Sequence, residues 1–380
     1  MITRLFFAKV SWLAFWLAVC PTPSFCHAEN RKLVGSGRLM LGTENNRTAS
    51  VRVGDVDGDH DLDVVVANGR HWPQQNYVFL NQSRAKFHVQ RRLGQDLRTS
   101  YATELADLDG DGDLDIAVGN DNAPNQVFLN DGDGRFRSGG EFGGISSVRS
   151  LTLADLDSDG DVDILAASRG RPNQFYLNDG NARFAPGRTF GASTDATINV
   201  AVGDLDLNGF PDLVLANRDG QQNYCLLNDG QLGFHQKVPF GTGKDETRSI
   251  AVADMNGDGK PDVIAGNIGT ANAIFLGDGK GRLGAAIGFG REDGQTFALS
   301  VADLNRDGDL DVVAGNLLQS NALFLNDGDA TSFSESRFGE ASSATYGIDT
   351  GDLDGDGFDD VVTANSDSQN FVFLNRPEGQ

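Results

Sequence analysis

The sequence predicts an all-β protein: a seven-bladed β-propeller of four-stranded antiparallel sheets, with the N-terminal strand closing the last blade. Three observations lead there. One acidic unit recurs seven times, led by Asp55, Asp107, Asp155, Asp204, Asp254, Asp303 and Asp352, at spacings of 52, 48, 49, 50, 49 and 49 residues. Glycine (48 residues), Val, Phe and Thr are abundant, a composition that suits strands and turns. The two chain ends carry complementary fragments of one repeat.

Within each repeat, the first strand precedes the acidic loop, as in TRSIAVAD, and the second follows it as an apolar run such as DVVVA or DILAA. A run without alternation, rich in branched residues, suits a strand covered on both faces. The third strand reads YVFLN, QVFLN, QFYLN, YCLLN, AIFLG, ALFLN or FVFLN. Asn-Asp-Gly or a relative then turns the chain. A fourth strand runs to Phe142-Gly143, Phe190-Gly191, Phe240-Gly241, Phe289-Gly290 or Phe338-Gly339. A sheet with two apolar faces is unstable alone, and radial stacking buries both. The seventh repeat stops after its third strand, at Asn375. Its missing fourth strand has a candidate in LVGSGRLMLG at 33–42, where Leu41-Gly42 stands in the place of Phe-Gly.

The first residues are read apart from the fold. Arg4 and Lys9 precede the apolar run VSWLAFWLAVC, and Cys26-His27-Ala28 follows. A charged start, a short apolar middle and a small-residue exit describe a secretory signal peptide over 1–28, leaving 29–380 as the propeller domain. The run is shorter than the roughly 20 apolar residues of a membrane span. The expected location is secreted, periplasmic or cell-surface, without membrane insertion. Cleavage removes Cys20 and Cys26 and leaves Cys225 unpaired, so no internal disulfide stabilises the product. Cys225 aligns with Val78, Val127, Phe175, Ile274, Leu323 and Val372 of the other third strands and reads as an apolar filler. Losing Arg4 and Lys9 takes the formal charge from −23 to −25. Nucleic acid is therefore excluded as a partner, and a monomer is expected.

The acidic unit has the pattern D-x-[DN]-x-[DN]-G-x-x-D. Positions 1, 3, 5 and 9 offer side-chain oxygens and position 7 a backbone carbonyl, which together surround a hard cation. The five positions are Asp55, Asp57, Asp59, Asp61 and Asp63 in the first loop, then Asp107, Asp109, Asp111, Asp113 and Asp115. The third has Asp155, Asp157, Asp159, Asp161 and Asp163; the fourth has Asp204, Asp206, Asn208, Phe210 and Asp212. The fifth has Asp254, Asn256, Asp258, Lys260 and Asp262; the sixth has Asp303, Asn305, Asp307, Asp309 and Asp311. The seventh has Asp352, Asp354, Asp356, Phe358 and Asp360. All-oxygen ligation favours Ca²⁺, up to seven ions, over Mg²⁺ and Zn²⁺. An EF-hand is excluded because position 12, for example Val66 or Val118, carries no Glu and lies in a strand. Two copies are expected to be weakest: the first, with His60 at the glycine position, and the fourth, with one carboxylate fewer. A ligand at ten times its dissociation constant stabilises a fold by about 1.4 kcal/mol. Seven such sites give about 10 kcal/mol, the order of a whole domain's stability.

These loops and Phe-Gly pairs resemble the FG-GAP and VCBS repeat families, whose best-known relative is the N-terminal propeller of integrin α subunits. The resemblance spans roughly 33–375. It implies calcium on the face of the first-to-second strand loops and partners on the opposite face. It does not exclude catalysis, because related propellers occur in polysaccharide lyases.

Residues that vary between repeats are free for specificity. They include His71, Trp72, Tyr101, Arg149, Arg169, Arg171, Arg218, Arg248, Phe297 and Tyr346, all in loops assigned to the second face. Trp72 reads either as a stacking surface for a sugar or protein, or as loop packing. The arginines read either as a site for a carboxylate-bearing ligand such as an acidic polysaccharide, or as partners of nearby Asp. Trp72, Arg149, Arg169, Arg171 and Arg248 are the candidate ligand-binding residues. No Ser-His-Asp or Cys-His set is legible. The reading is a ligand-binding or adhesion scaffold with a protein or carbohydrate partner and no enzyme activity; the alternative is a lyase-like enzyme acting on polysaccharide.

Overall fold

A computed structural model describes residues 31–378; the leader expected over 1–28 lies outside them. The strand β1 (Arg31–Leu41) comes first. Blade 1 follows as β2 (Thr48–Gly54), β3 (Asp63–Asn68), β4 (Gln74–Leu80) and β5 (Val89–Arg98). Blade 2 is β6 (Ser100–Ala106), β7 (Asp115–Asn120), β8 (Asn125–Asn130) and β9 (Phe136–Phe142). Blade 3 is β10 (Val148–Ala154), β11 (Asp163–Ser168), β12 (Asn173–Tyr176) and β13 (Arg188–Phe190). Blade 4 is β14 (Thr197–Gly203), β15 (Asp212–Asn217), β16 (Asn223–Leu227) and β17 (Gln236–Phe240). Blade 5 is β18 (Thr247–Ala253), β19 (Asp262–Asn267), β20 (Asn272–Phe275) and β21 (Ile287–Phe289). Blade 6 is β22 (Thr296–Ala302), β23 (Asp311–Asn316), β24 (Asn321–Asn326) and β25 (Phe333–Phe338). Blade 7 has β26 (Thr345–Gly351), β27 (Asp360–Asn365) and β28 (Asn370–Pro377), with β1 as its fourth strand.

Closure is as the end fragments predict. β1 pairs antiparallel with β28, with Val34 opposite Leu374 and Leu41 opposite Asn370. The first strands touch in turn, β2, β6, β10, β14, β18, β22, β26 and back to β2, so they surround the axis.

The core is divided among the blade interfaces. Val64 and Val66 of β3 pack with Val362 and Ala364 of blade 7, whereas Val65 packs with Ile116 and Val118 of blade 2. Every residue of the seven second strands is buried. That is why their sequences show no alternation. Cys225 is fully buried in the same way, and burial pushes its thiol up to about 12.

The Phe-Gly pair acts between blades. Phe142 meets Tyr176 of the next blade edge-on at 5.2 Å, and Phe338 meets Phe373 at 4.9 Å. The glycine is left-handed, φ 64° at Gly143, and a side chain there would lie 2.6 Å from the Tyr176 hydroxyl. Leu41-Gly42 keeps this geometry, as expected. Leu93-Gly94 of blade 1 does so as well, a substitution the sequence reading passed over: Leu93 is opposite Asn76, and Gly94 has φ 74°.

Candidate functional site

The acidic loops join the first and second strands of each blade, and all seven share one internal geometry. The position 1 carboxylate accepts the N–H of position 6 at 2.8–3.1 Å. The position 5 side chain accepts the N–H of position 7 at 2.8–3.0 Å. Position 9 is fully buried: one oxygen accepts the N–H of position 2 at 2.8–3.1 Å. Its other oxygen accepts an N–H at the end of the third strand at 2.7–2.9 Å. The last carboxylate therefore clamps loop and blade together.

Two residues per loop are left-handed. Position 6 was expected, and His60 adopts φ 72° there against its steric preference. Position 4 was not: Ser158, Leu207 and Arg306 hold φ 62°, 56° and 59°. Glycine at position 4 of the other four loops is the sequence signal for it.

The carboxylates converge as a cation site requires. Ligand atoms of Asp55, Asp57 and Asp63 lie within 4.8 Å of one another, as do those of Asp107, Asp109 and Asp115, of Asp155, Asp157 and Asp163, of Asp204, Asp206 and Asp212, and of Asp352, Asp354 and Asp356. The Oδ1 atoms of Asp57, Asp109, Asp206 and Asp303 are buried without a hydrogen-bond partner. Such an oxygen is costly unless a cation takes it, so the residues fit a metal ion. Convergence does not single out the first and fourth loops, the pair expected to be weakest. The fifth and sixth loops, like the fourth, replace one carboxylate by an amide, at Asn256 and Asn305. In several loops the chain supplies its own cation: Lys260 Nζ donates to Asp258 at 2.8 Å, Arg376 donates to Asp354 and Asp356, and Arg137 lies 3.7 Å from Asp109.

Burial, opposed by the backbone N–H donors and reinforced by neighbouring carboxylates, pushes the clamp residues upward. Asp63, Asp311 and Asp360 reach about 7, and Asp115, Asp163 and Asp212 about 6.

On the other face, the axis opens into a cavity of about 200 Å³. Its construction depends on a β-bulge near the start of every first strand, at Thr48/Ser50, Ser100/Ala102, Val148/Ser150, Thr197/Asn199, Thr247/Ser249, Thr296/Ala298 and Thr345/Gly347. Bulges re-aim side chains. The skipped residues Ala49, Tyr101, Arg149, Ile198, Arg248, Phe297 and Tyr346 all line the cavity, one from each blade. The loops after the second strands add Arg70, His71, Arg169 and Arg218.

Guanidinium and aromatic groups alternate there. Arg70 lies 3.8 Å over the Tyr346 ring, Arg149 4.1 Å over Tyr101, and Arg248 5.3 Å over Phe297. Tyr101 Oη and His71 Nδ1 share a hydrogen bond of 3.0 Å. Burial and the nearby Arg70 and Arg149 hold His71 below the usual imidazole range. Arg248 is also depressed, by burial first and then by Arg218. Deeper in, Arg52 makes a two-point bond to Glu104 at 2.7 and 2.6 Å.

Of the candidate ligand residues, Arg149, Arg169 and Arg248 meet in this cavity. Arg171 does not: it lies in a separate depression with Ile145, Pro172 and Gln174. Trp72 is 63 % exposed beside the cavity, with the Arg47 guanidinium 5.9 Å from its ring. Salt bridges are present too, Arg149 to Asp121 at 3.3 Å and Arg248 to Glu246 at 3.1 Å. Arg52 and Arg70 were missed by sequence reasoning, although both differ from their counterparts in the other repeats.

Comparison with known proteins decides the family. The FG-GAP-like repeat profile matches six overlapping stretches, 55–118, 107–166, 155–215, 204–265, 254–314 and 303–363, each running from one acidic loop into the strand beyond the next. The chain belongs to the FG-GAP-like repeat family. No curated protein sequence matches it. Among solved structures, an FG-GAP-like ring of this form is similar to BBS1N in complex with ARL6DN, at a TM-score of 0.60 and 11% identity over 92% of this chain and 98% of that one. It is also similar to the WD40 β-propeller domain of Doa1, at a TM-score of 0.59 and 12% identity over 90% and 97%. At such identities the likeness concerns the fold alone.

Proposed function

We propose that this FG-GAP-like protein is a secreted, calcium-stabilised scaffold that binds a protein or carbohydrate ligand in the axial cavity, opposite the acidic loops, without catalysing a reaction. One observation carries the reading: at the bulge the blades present a varied set of side chains (Ala, Tyr, Arg, Ile and Phe) to a single cavity, while the acidic loops on the other face repeat almost unchanged. Repetition serves the ring, and variation serves recognition. Calcium is the cation the all-oxygen loops suit, held by positions 1, 3, 5 and 9 with a carbonyl from position 7. BBS1N, a chain of the same fold, forms a complex with a protein, which supports a protein partner in general terms. The test is binding to arrays of glycans and of purified extracellular proteins with calcium present, comparing the parent with an Arg169→Met/Arg248→Met double variant. Ligands retained by the parent and lost by the variant are expected. Ligands held equally by both place recognition elsewhere.

A second reading is favoured by the His71–Tyr101 hydrogen bond. A neutral imidazole coupled to a phenol, with Arg70 and Arg149 near, is the equipment for taking a proton beside a carboxylate. Incubation with acidic polysaccharides separates the two readings, since cleavage lost in Tyr101→Phe identifies an enzyme.

A further inference from the structure

The axial cavity specifies its ligand further. Resting on the scaffold reading, we infer that it holds a carboxylated sugar at the end of an acidic glycan.

The charge argument comes first. In a chain of formal charge −23, five guanidiniums meet at one mouth, and only Arg149, Arg218 and Arg248 have a carboxylate partner among the described residues. Arg70 and Arg169 have none, and Arg248 Nε is buried without an acceptor. Planar donor forks in a shielded cavity select carboxylate oxygens. Aromatic rings beneath Arg70, Arg149 and Arg248 keep those three forks in place.

Size comes next. A cavity of about 200 Å³ is smaller than the roughly 300–1,000 Å³ of sites that enclose a drug-sized ligand. It admits one ring or one side chain, as a chain end would supply.

The floor separates a sugar from an acidic peptide. Next to the bulge residues, the blades place Ser50, Ser150, Asn199 and Ser249 around the axis. Ser50 and Ser249 accept the backbone N–H of Thr103 and Leu299 in the next blade at 3.3 and 3.1 Å, which leaves both hydroxyl hydrogens to donate. Asn199 accepts that of Ile250 at 2.9 Å and keeps its amide hydrogens. Ser150 Oγ is buried with no partner at all. A carboxylate side chain would use the guanidiniums and leave this polar floor unpaired, whereas a polyol bearing a carboxylate uses both.

The experiment is titration calorimetry in calcium buffer. The probes are trisaccharides of galacturonate, glucuronate and mannuronate, their methyl esters, and a glutamate-rich peptide. At least one uronate should bind tenfold or more tightly than its ester and than the peptide. Arg169→Met should weaken it tenfold or more and Ser150→Val threefold or more, with unchanged melting temperatures as the folding control. Equal binding of acid and ester, binding of the peptide alone, or binding of no uronate overturns the inference. Peptide binding lost in Arg169→Met overturns it while leaving the scaffold reading intact; loss of all array ligands' dependence on the cavity overturns the scaffold reading instead.

Discussion

The side-chain amide of Asn81 donates to the backbone carbonyl of Leu353 at 2.8 Å, across 272 residues of sequence. The same bond runs from Asn130 to Val56, Asn178 to Leu108, Asn326 to Met255 and Asn375 to Leu304, always from the end of a third strand to the acidic loop of the preceding blade. Blade 1 thus treats blade 7 as its predecessor. The accepting residue is also the one whose N–H is clamped by the last aspartate, Leu353 to Asp360 at 3.1 Å. Acidic loop and blade seam are one hydrogen-bonded unit.

Asn81→Ala should cost about 1–3 kcal/mol, the usual penalty for a buried group left unpaired, measured by urea unfolding in calcium. Deleting 29–42 should cost far more, because it leaves β28 as an apolar open edge. Val34→Cys with Leu374→Cys should cross-link on oxidation. A truncated protein that melts like its parent, with no cross-link formed, would show that the ring closes some other way.

Calcium removal should loosen every seam at once. Addition of a chelator should lower the melting temperature by more than about ten degrees, given about 1.4 kcal/mol per site at ten times the dissociation constant, and added calcium should restore it. Asp57→Asn should remove about one site's share of that gain and leave the chelated melt unchanged. Identical melts with and without chelator would refute the structural role.

Stability should depend on pH in opposite ways with and without metal. In the metal-free protein six of the clamp aspartates lie at about 6 to 7 when folded, against an ordinary value near 3.8, and Asp262 is raised as well. Between those values the folded state binds more protons, so its stability falls as pH rises from about 4 to 7. Chelated protein should melt higher at pH 5 than at pH 7.5. With calcium the order should reverse, because the ion favours the ionised form.

Val148→Thr should stabilise the ring. On the face away from the acidic loops, four third-strand Asn residues donate to a Thr or Ser of the next blade: Asn76 to Ser100 at 2.9 Å, Asn173 to Thr197 at 2.9 Å, Asn223 to Thr247 at 2.8 Å and Asn370 to Thr48 at 3.0 Å. Where Val148 stands instead, Asn125 Nδ2 is buried without a partner. Restoring the hydroxyl should add about 1 kcal/mol, read from denaturant midpoints.

Legibility followed repetition. The strands, the loops and the closing strand were readable because seven copies of each position exist for comparison. Leu93-Gly94 escaped although the same Leu-for-Phe exchange was read at Leu41-Gly42; burial against Phe128 asks for no more than an apolar residue and a left-handed glycine. Arg171 was misplaced with the other arginines because it lies two residues beyond Arg169 in sequence, and that distance turns it out of the axis.

What the sequence determined by itself is the blade: an apolar second strand that needs cover on both faces, an acidic loop whose carboxylates are spaced to converge, and a chain whose ends complete each other. What only the tertiary structure decided is the axial cavity. Its residues are about 50 positions apart and share no motif. They meet because a bulge in each of seven inner strands turns one side chain toward a common axis, and that convergence is a property of the closed ring.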